Sequence, residues 1–455
     1  MEKNLTQGNT YKQLIKLSLP IMGTSLIQMS YNLMDMFWVG KLSSEAVSAA
    51  GIAGYVLWIG FAIAALCKTG AEVGCAQSIG RRNKEEAQHF INNAIAFVLF
   101  ISLSYSLFVF FGRYQVMNFF HTESPLIEKM ALSYLSVVLP AVPVNSIVVV
   151  LTGIYHGFGN SRITFKINTL GLILNMILDP LLIFVLKMGV AGAALATALS
   201  QLSILLLFLG VSRKKEYFQN FSLFHGIRRA YLKTIAYWGL PAAGQSLIFA
   251  SFSAVIARLV TSYGNHAFAA QQIGVQIESI GWLSFLGLSS SIGVFVAQNY
   301  GAGNESRVRE GIQKGFTLAL VLGLGIGLLL FFGADVLFRL FIRQEDTVYL
   351  GVLYLKIMAL AQVFSALEAA ATGSLNGMGK TVYPGITGIL GNFTRIPLGY
   401  LLAHYFGVPG IWWAIAASCF FKGILPQPVV RFFTKKKAMF PQHGLRKIYT
   451  GENNE

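Results

Sequence analysis

The sequence predicts an all-α integral membrane protein, with about twelve transmembrane helices in two pseudo-symmetric six-helix lobes. Three observations carry that prediction: an apolar composition, a regular alternation of long apolar runs with basic loops, and an internal repeat. Hydrophobic residues make up 55% of the chain and charged residues only 12%, with a mean hydropathy of +0.60. A water-soluble globule of that composition would lack polar surface, so the solvent must be a bilayer. The repeat is explicit. Leu19 to Asn83 lies on Leu240 to Asn304 without a gap, with roughly 18 of about 65 pairs identical. The echo continues as Gly157-Phe158-Gly159 answering Gly377-Met378-Gly379 and Gly171 answering Gly391, so the repeat spans half of the protein. Two similar apolar halves point to a transporter, because two bundles can rock around a central site.

In the first half the expected spans run over about 14–38, 46–75, 90–112, 127–157, 163–186 and 189–211, each long enough to cross as a helix. The first opens on Leu19-Pro20, and the stretch from Ile91 to Phe111 is uncharged throughout. The fourth ends at the Gly157-Phe158-Gly159 turn, and a tight turn near Met188 separates the fifth from the sixth. A polar, basic stretch, 212–233, divides the halves, giving lobes 1–222 and 223–455. The second half repeats the plan at about 234–262, 267–299, 312–334, 348–376, 383–405 and 409–433.

The net charge of +16 raises a nucleic-acid partner, so the position of the cations matters more than their number. They sit in alternate loops. With both termini cytoplasmic, inner segments hold about 24 of the 35 Lys and Arg, including Arg81, Arg82, Lys84, Arg213, Lys214, Lys215, Arg228, Arg229 and Lys435 to Lys437, against about six outside. The basic clusters therefore report topology and anionic lipid at the cytoplasmic face of the cell membrane, and no nucleic acid is expected. Cys67, Cys75 and Cys419 form no CxxC or Cys/His pattern and read as small core residues.

Ionised side chains at bilayer depth are expensive, so each needs a partner, water or a function. Asp35 stands about 8 residues before the turn near Ser43, Asp179 about 9 before the turn near Met188, and Thr197 about 9 after it. At about 1.5 Å per residue the three share one depth, roughly 12–14 Å inside the outer helix ends, with Asn175 one turn from Asp179 on the same face. Gln28, Tyr31 and Asp35 form a polar stripe on an otherwise apolar helix, so that face must look inward. Desolvation disfavours a bare carboxylate there, so each acid either takes a proton or holds a cation. The repeat pairs Asp35 with Ile256, Asn175 with Arg395 and Asp179 with Gly399, so this acidic site belongs to the first half alone. Hydrogen bonding between neighbouring helices is the simpler role for these acids, but two of them with amide and hydroxyl groups at one depth exceed what packing requires.

The second half carries its own intramembrane charges, Arg258, Glu278, Glu368, Arg395 and Lys422. Glu278 and Arg395 are candidates for a substrate cavity, and for Glu278 an ion pair with one of the bases is the alternative. Pro20 and Pro180 are candidate bending points, Pro180 because it removes a backbone hydrogen bond beside Asp179. The run from Gly373 to Thr381 imitates a phosphate loop but has one residue too many and follows a helix, so ATP is not the expected energy source. With no HExxH or GxSxG, the chain offers no catalytic residues and no metal centre, and it is not expected to be an enzyme.

In order along the chain stand Leu19-Pro20, Asp35-x-Phe37-x-Val39-Gly40, Gln77-x-x-Gly80, Asn175-x-x-x-Asp179-Pro180 and Gln298-Asn299-Tyr300-Gly301-Ala302-Gly303-Asn304. Together they resemble the multidrug and toxic compound extrusion (MATE) transporters of the MOP flippase superfamily, from about Leu14 to Arg431. The resemblance implies a V-shaped pair of lobes that exports organic, mostly cationic and aromatic compounds by antiport against protons or sodium. It is nearest the branch related to the DNA-damage-inducible protein F. There Asp35, Asn175, Asp179 and Thr197 match the cation-coupling pocket, where sodium, if it is the ion, would sit. Pro20 matches the bending proline of the first helix, and Gln28 and Tyr31 match cavity positions. No cofactor beyond the coupling ion is implied, and a monomer is expected. The departure is Arg395, a cation in the second lobe. A lipid or lipid-linked saccharide flippase of the same superfamily is the alternative, and a non-transporting membrane sensor or scaffold is the alternative from another class.

Overall fold

A computed structural model describes residues 5–120, 124–213, 216–218 and 227–435. Lys214, Lys215, Lys436 and Lys437, much of the expected 212–233 divider and the tail after Pro441 lie outside the described residues. The described residues fold into α-helices with short connections and no strand. The first half holds α1 (Thr10–Gly40), α2 (Ser44–Gly80), α3 (Lys84–Phe111), α4 (Arg113–Phe120), α5 (Pro125–Val138), α6 (Val142–Gly157), α7 (Ser161–Pro180) and α8 (Gly189–Ser212). The second holds α9 (Arg229–Thr261), α10 (Asn265–Gly301), α11 (Glu305–Arg339), α12 (Glu345–Gly377), α13 (Val382–Phe393), α14 (Arg395–Phe406), α15 (Val408–Ile424) and α16 (Pro426–Phe433).

Ten helical spans among the described residues are long and apolar enough to cross a bilayer, Pro125–Gly157 counting as one. The other two of the expected twelve are α1 and the α13–α14 pair. The stripe of Gln28, Tyr31 and Asp35 dilutes the apolarity of α1. The second is broken at Thr394 into two pieces of 12 residues each. In the first half, α7 ends at Pro180 and continues as a wider π turn over Leu181–Val185, with Leu186 N donating to Leu181 O at 2.9 Å. Proline supplies no N–H to the ladder, and the wider turn re-pairs the carbonyls beyond it.

By packing, the described residues divide into those within 23–243, and those within 5–22 with 244–435. This is not the chain-order partition at 222/223, because the opening turns of α1 and α9 each join the unit formed by the other half. Gly239 of α9 lies against the Leu66 backbone and Gly70 against the Ile235 backbone, while Phe90 stacks on Trp238 at 5.9 Å. In the other unit Met22 packs on Gly287, and Arg307 donates to Leu5 O (3.1 Å), Gly8 O (2.8 Å) and Gln13 Oε1 (2.9 Å). Both crossings follow a proline, Pro20 in α1 and Pro241 in α9.

The repeated Gln-x-x-Gly-x-x-Asn motif is a helix stop and restart. Asn83 Oδ1 accepts from Glu86 N at 3.0 Å and Asn304 Oδ1 from Arg307 N at 3.2 Å, so each asparagine caps the next helix. The residue before the cap takes the left-handed conformation in both copies, as Gly303 (φ 69°) and as Arg82 (φ 58°). Packing is traded as well: Gly74 makes room for Phe90, and at the matching positions Gly311 makes room for Phe295. The ring changes helix, but the same space is filled.

Candidate functional site

The first unit gathers an acidic cluster from three helices. Asp35 comes from α1, Asn175 and Asp179 from α7, one turn apart on one face, and Thr197 from α8. Asn175 Nδ2 donates to Asp35 Oδ1 and to Asp179 Oδ1, both at 3.3 Å, and Thr197 Oγ1 donates to Asp35 Oδ2 at 3.0 Å. Asn175 and Asp179 are fully buried, and Asp35 is partly exposed. The two carboxyl groups face each other closely enough to hydrogen-bond once one is protonated. Asp179 Oδ2, Asn175 Oδ1, Tyr31 Oη and Ser200 Oγ are sealed from solvent without a well-formed hydrogen bond among the described residues. Buried oxygens in that state are uncommon and mark a place where a ligand or proton completes the set.

Two carboxylates so close cannot both stay charged unless something positive lies between them. One shared proton satisfies the pair. A monovalent cation held by the carboxylates, the free Asn175 carbonyl and the hydroxyls satisfies it too, since hard cations take oxygen ligands. Asp35, the partly exposed member, is the side of the cluster that opens to its surroundings.

Of the positions expected from sequence, the structure brings together Asp35, Asn175, Asp179, Thr197 and Tyr31, the last with its hydroxyl in the space left by Gly171 and beside both acids. Gln28 is partly buried on α1, one turn before Tyr31, and Pro180 closes α7 next to Asp179. Sequence reasoning missed Ser200 and Tyr134. Ser200 is one turn beyond Thr197 on α8, a spacing that could have revealed it. Tyr134, buried on α5 within electrostatic reach of both acids, has no local signal.

Glu278 and Arg395 lie in the second unit and do not pair with each other. Glu278 accepts from Tyr354 Oη (3.0 Å) and Gln362 Nε2 (3.2 Å), while Arg395 Nε donates to Ser418 Oγ at 2.6 Å. The ion pair that forms there is Lys422 with Glu368, at 3.1 Å. Glu278 is thus held by neutral donors rather than by the base expected as the alternative.

Fold and site together define a class: a multi-pass helical membrane protein built from two repeat halves, one of which buries an acidic cluster, the plan of a secondary transporter. The MatE family model matches residues 20–181 and 241–401, once in each half. The chain belongs to that family, whose members are transporters and not enzymes. Over 421 residues it is 29% identical to the probable multidrug resistance protein NorM of Thermotoga maritima, covering 91% of this chain and 90% of that one. It is 23% identical over 414 residues to the multidrug export protein MepA of Staphylococcus haemolyticus, covering 90% of each. Its fold matches a solved outward-facing multidrug resistance MATE family transporter of the MOP superfamily, with a TM-score of 0.87 over 94% of this chain and 97% of that one; at 23% identity this likeness speaks for the fold alone.

Proposed function

We propose that this protein is a multidrug efflux antiporter of the cell membrane, with both termini cytoplasmic. It exports organic, mostly cationic and aromatic compounds in exchange for protons or sodium. The observation that carries the reading is the Asp35–Asn175–Asp179–Thr197 cluster, two carboxyl groups with sealed, unsatisfied oxygens around them. The names of the relatives in Thermotoga maritima and Staphylococcus haemolyticus support it. The same four residues support an assignment to the branch related to the DNA-damage-inducible protein F.

In the exchange step, the ionised pair attracts an organic cation. Uptake of a proton or a sodium ion from outside neutralises the pair and weakens that attraction, so the cation leaves. Because both ligands compete for one charge, each lowers the affinity for the other by the same factor. Pro20 and Pro180 are the bending points: Pro20 lies just before α1 passes between packing units, and Pro180 directly follows Asp179. Gln28 and Tyr31 line the cavity. The protein works as a monomer, with its inner basic loops on anionic lipid.

The test is reconstitution into vesicles with a pH gradient or a sodium gradient imposed separately. One of the two gradients should drive a fluorescent organic cation uphill, and replacing Asp35 or Asp179 by Asn should stop it without loss of inserted protein. Full export by both variants would overturn the reading.

A further inference from the structure

The second unit contains the repeat copy of the acidic pocket, and its contents have changed sign. The register between halves is fixed by matched backbone features. Gly189 and Gly407 both take positive φ, 58° and 63°, and Gly192 lies on the Leu182 backbone as Gly410 lies on that of Leu402. In this register Asp35 answers Ile256, Asp179 answers Gly399, Asn175 answers Arg395 and Gln28 answers Phe249. Ser200 and Gln201 answer Ser418 and Cys419. The copied positions are in contact: Ile256 packs against Gly399, and Arg395 donates to Ser418 Oγ at 2.6 Å and weakly to Cys419 Sγ at 3.8 Å. The hub that was an amide between two carboxylates is now a guanidinium with none.

Arg395 is only 8% exposed, and arginine does not shed its proton in proteins. Among the described residues no carboxylate lies within 4.0 Å of it. Of the nearby acids, Glu368 pairs with Lys422, and Glu278, held by Tyr354 and Gln362, acts on Arg395 through space without an ion pair. Nη1 has no hydrogen-bond partner among the described residues, yet it is not one of the sealed atoms, so a ligand can reach it. The guanidinium carbon stands 5.3 Å from the centre of the Phe249 ring, which is itself 37% exposed. Its direct hydrogen-bond partners are neutral, and with an open donor edge and an aromatic face beside it the cation has room for a directly paired anion. A planar anion fits that edge, since a guanidinium fork matches a carboxylate.

We propose that this copy is an anion pocket, in which Arg395, seated over Phe249, binds the carboxylate of an aromatic compound. That the carboxylate belongs to exported cargo rests on the antiport reading above, whereas the pocket itself does not. The transporter then reads two charges with two copies of one scaffold. Arg395 takes a carboxylate within the second unit, independently of the acids of the first.

The experiment uses a matched pair of probes, a rhodamine ethyl ester, which is purely cationic, and the same rhodamine with its carboxyl free. Binding to the purified full-length protein is read by fluorescence polarisation, and export is read separately in vesicles. Replacing Arg395 by Gln should lower the ratio of free-acid to ester affinity by about tenfold or more, the size expected for losing hydrogen bonds to a charged group. Arg395→Lys should recover part of that ratio, because the charge returns without the planar fork. An unchanged ratio in Arg395→Gln, or wild-type protein that binds the ester and not the acid, would overturn the pocket, as would failure of both probes to bind. A normal binding result without gradient-driven export would leave the pocket standing and sink the antiport reading.

Discussion

The two halves share a scaffold and differ in what it holds. In the first, Asn175 ties Asp35 to Asp179, and in the second, Arg395 occupies the matching position with Ile256 and Gly399 where the acids stood. The contacts that set the scaffold recur in both: an asparagine caps the third helix, and glycines let neighbouring backbones approach at matched points. The polar residues do not. Close approaches and turns fix where the helices lie, so the side chains in the pocket are free to diverge without moving them. The charge placed on the scaffold, rather than the scaffold, separates the acidic cluster from its copy.

The comparison is broken most severely at the acids. Asp35→Asn and Asp179→Asn should each abolish gradient-driven exchange in vesicles while the protein still inserts and purifies, and residual exchange near wild type in both would remove the first half's special role. Next comes the traded ring. Phe90→Gly should destabilise by about 3–5 kcal/mol, as loss of a buried aromatic does, measured by thermal unfolding in detergent. Adding Gly74→Phe should restore part of that loss by copying the Gly311 and Phe295 arrangement, and a double variant no better than additive would show that the two halves do not share this packing space. Recovery stays incomplete, because Phe90 also stacks on Trp238 and meets Tyr231.

Smaller effects sharpen the picture. Thr197→Ala removes a hydrogen bond to Asp35, and the ion concentration for half-maximal exchange should shift about tenfold, in line with roughly 1.5 kcal/mol for a bond to a charged group. The smallest change is at the turn after α2. Arg82→Gly should stabilise by about 0.5–1 kcal/mol, since it relieves a left-handed side-chain-bearing residue where the other copy already has glycine. Gly303→Ala should lose a similar amount, because its Cβ would meet nothing and only the backbone would object. Equal stability of both variants with wild type would mean that the turn relaxes.

Much of this molecule could be read from the chain. The apolar runs, the basic loops between them and the duplicated Leu-Pro and Gln-x-x-Gly-x-x-Asn signatures determine a helical membrane protein in two copies. Hydrophobic length and period are local properties, and a repeat is visible without coordinates. Counting residues from the turns also set Asp35, Asp179 and Thr197 at one depth, because helical rise is fixed. Rotation and partnership are not fixed by rise. Only the tertiary structure decided that Asn175 bridges both acids, that Tyr134 stands near them and Ser200 beside Tyr31, and that Glu278 rests on Tyr354 and Gln362 rather than on a base. It also decided that the first turns of α1 and α9 join the unit built by the other half, just past Pro20 and Pro241. These are contacts between residues far apart in sequence, set by which helix faces meet, and no local pattern encodes that choice.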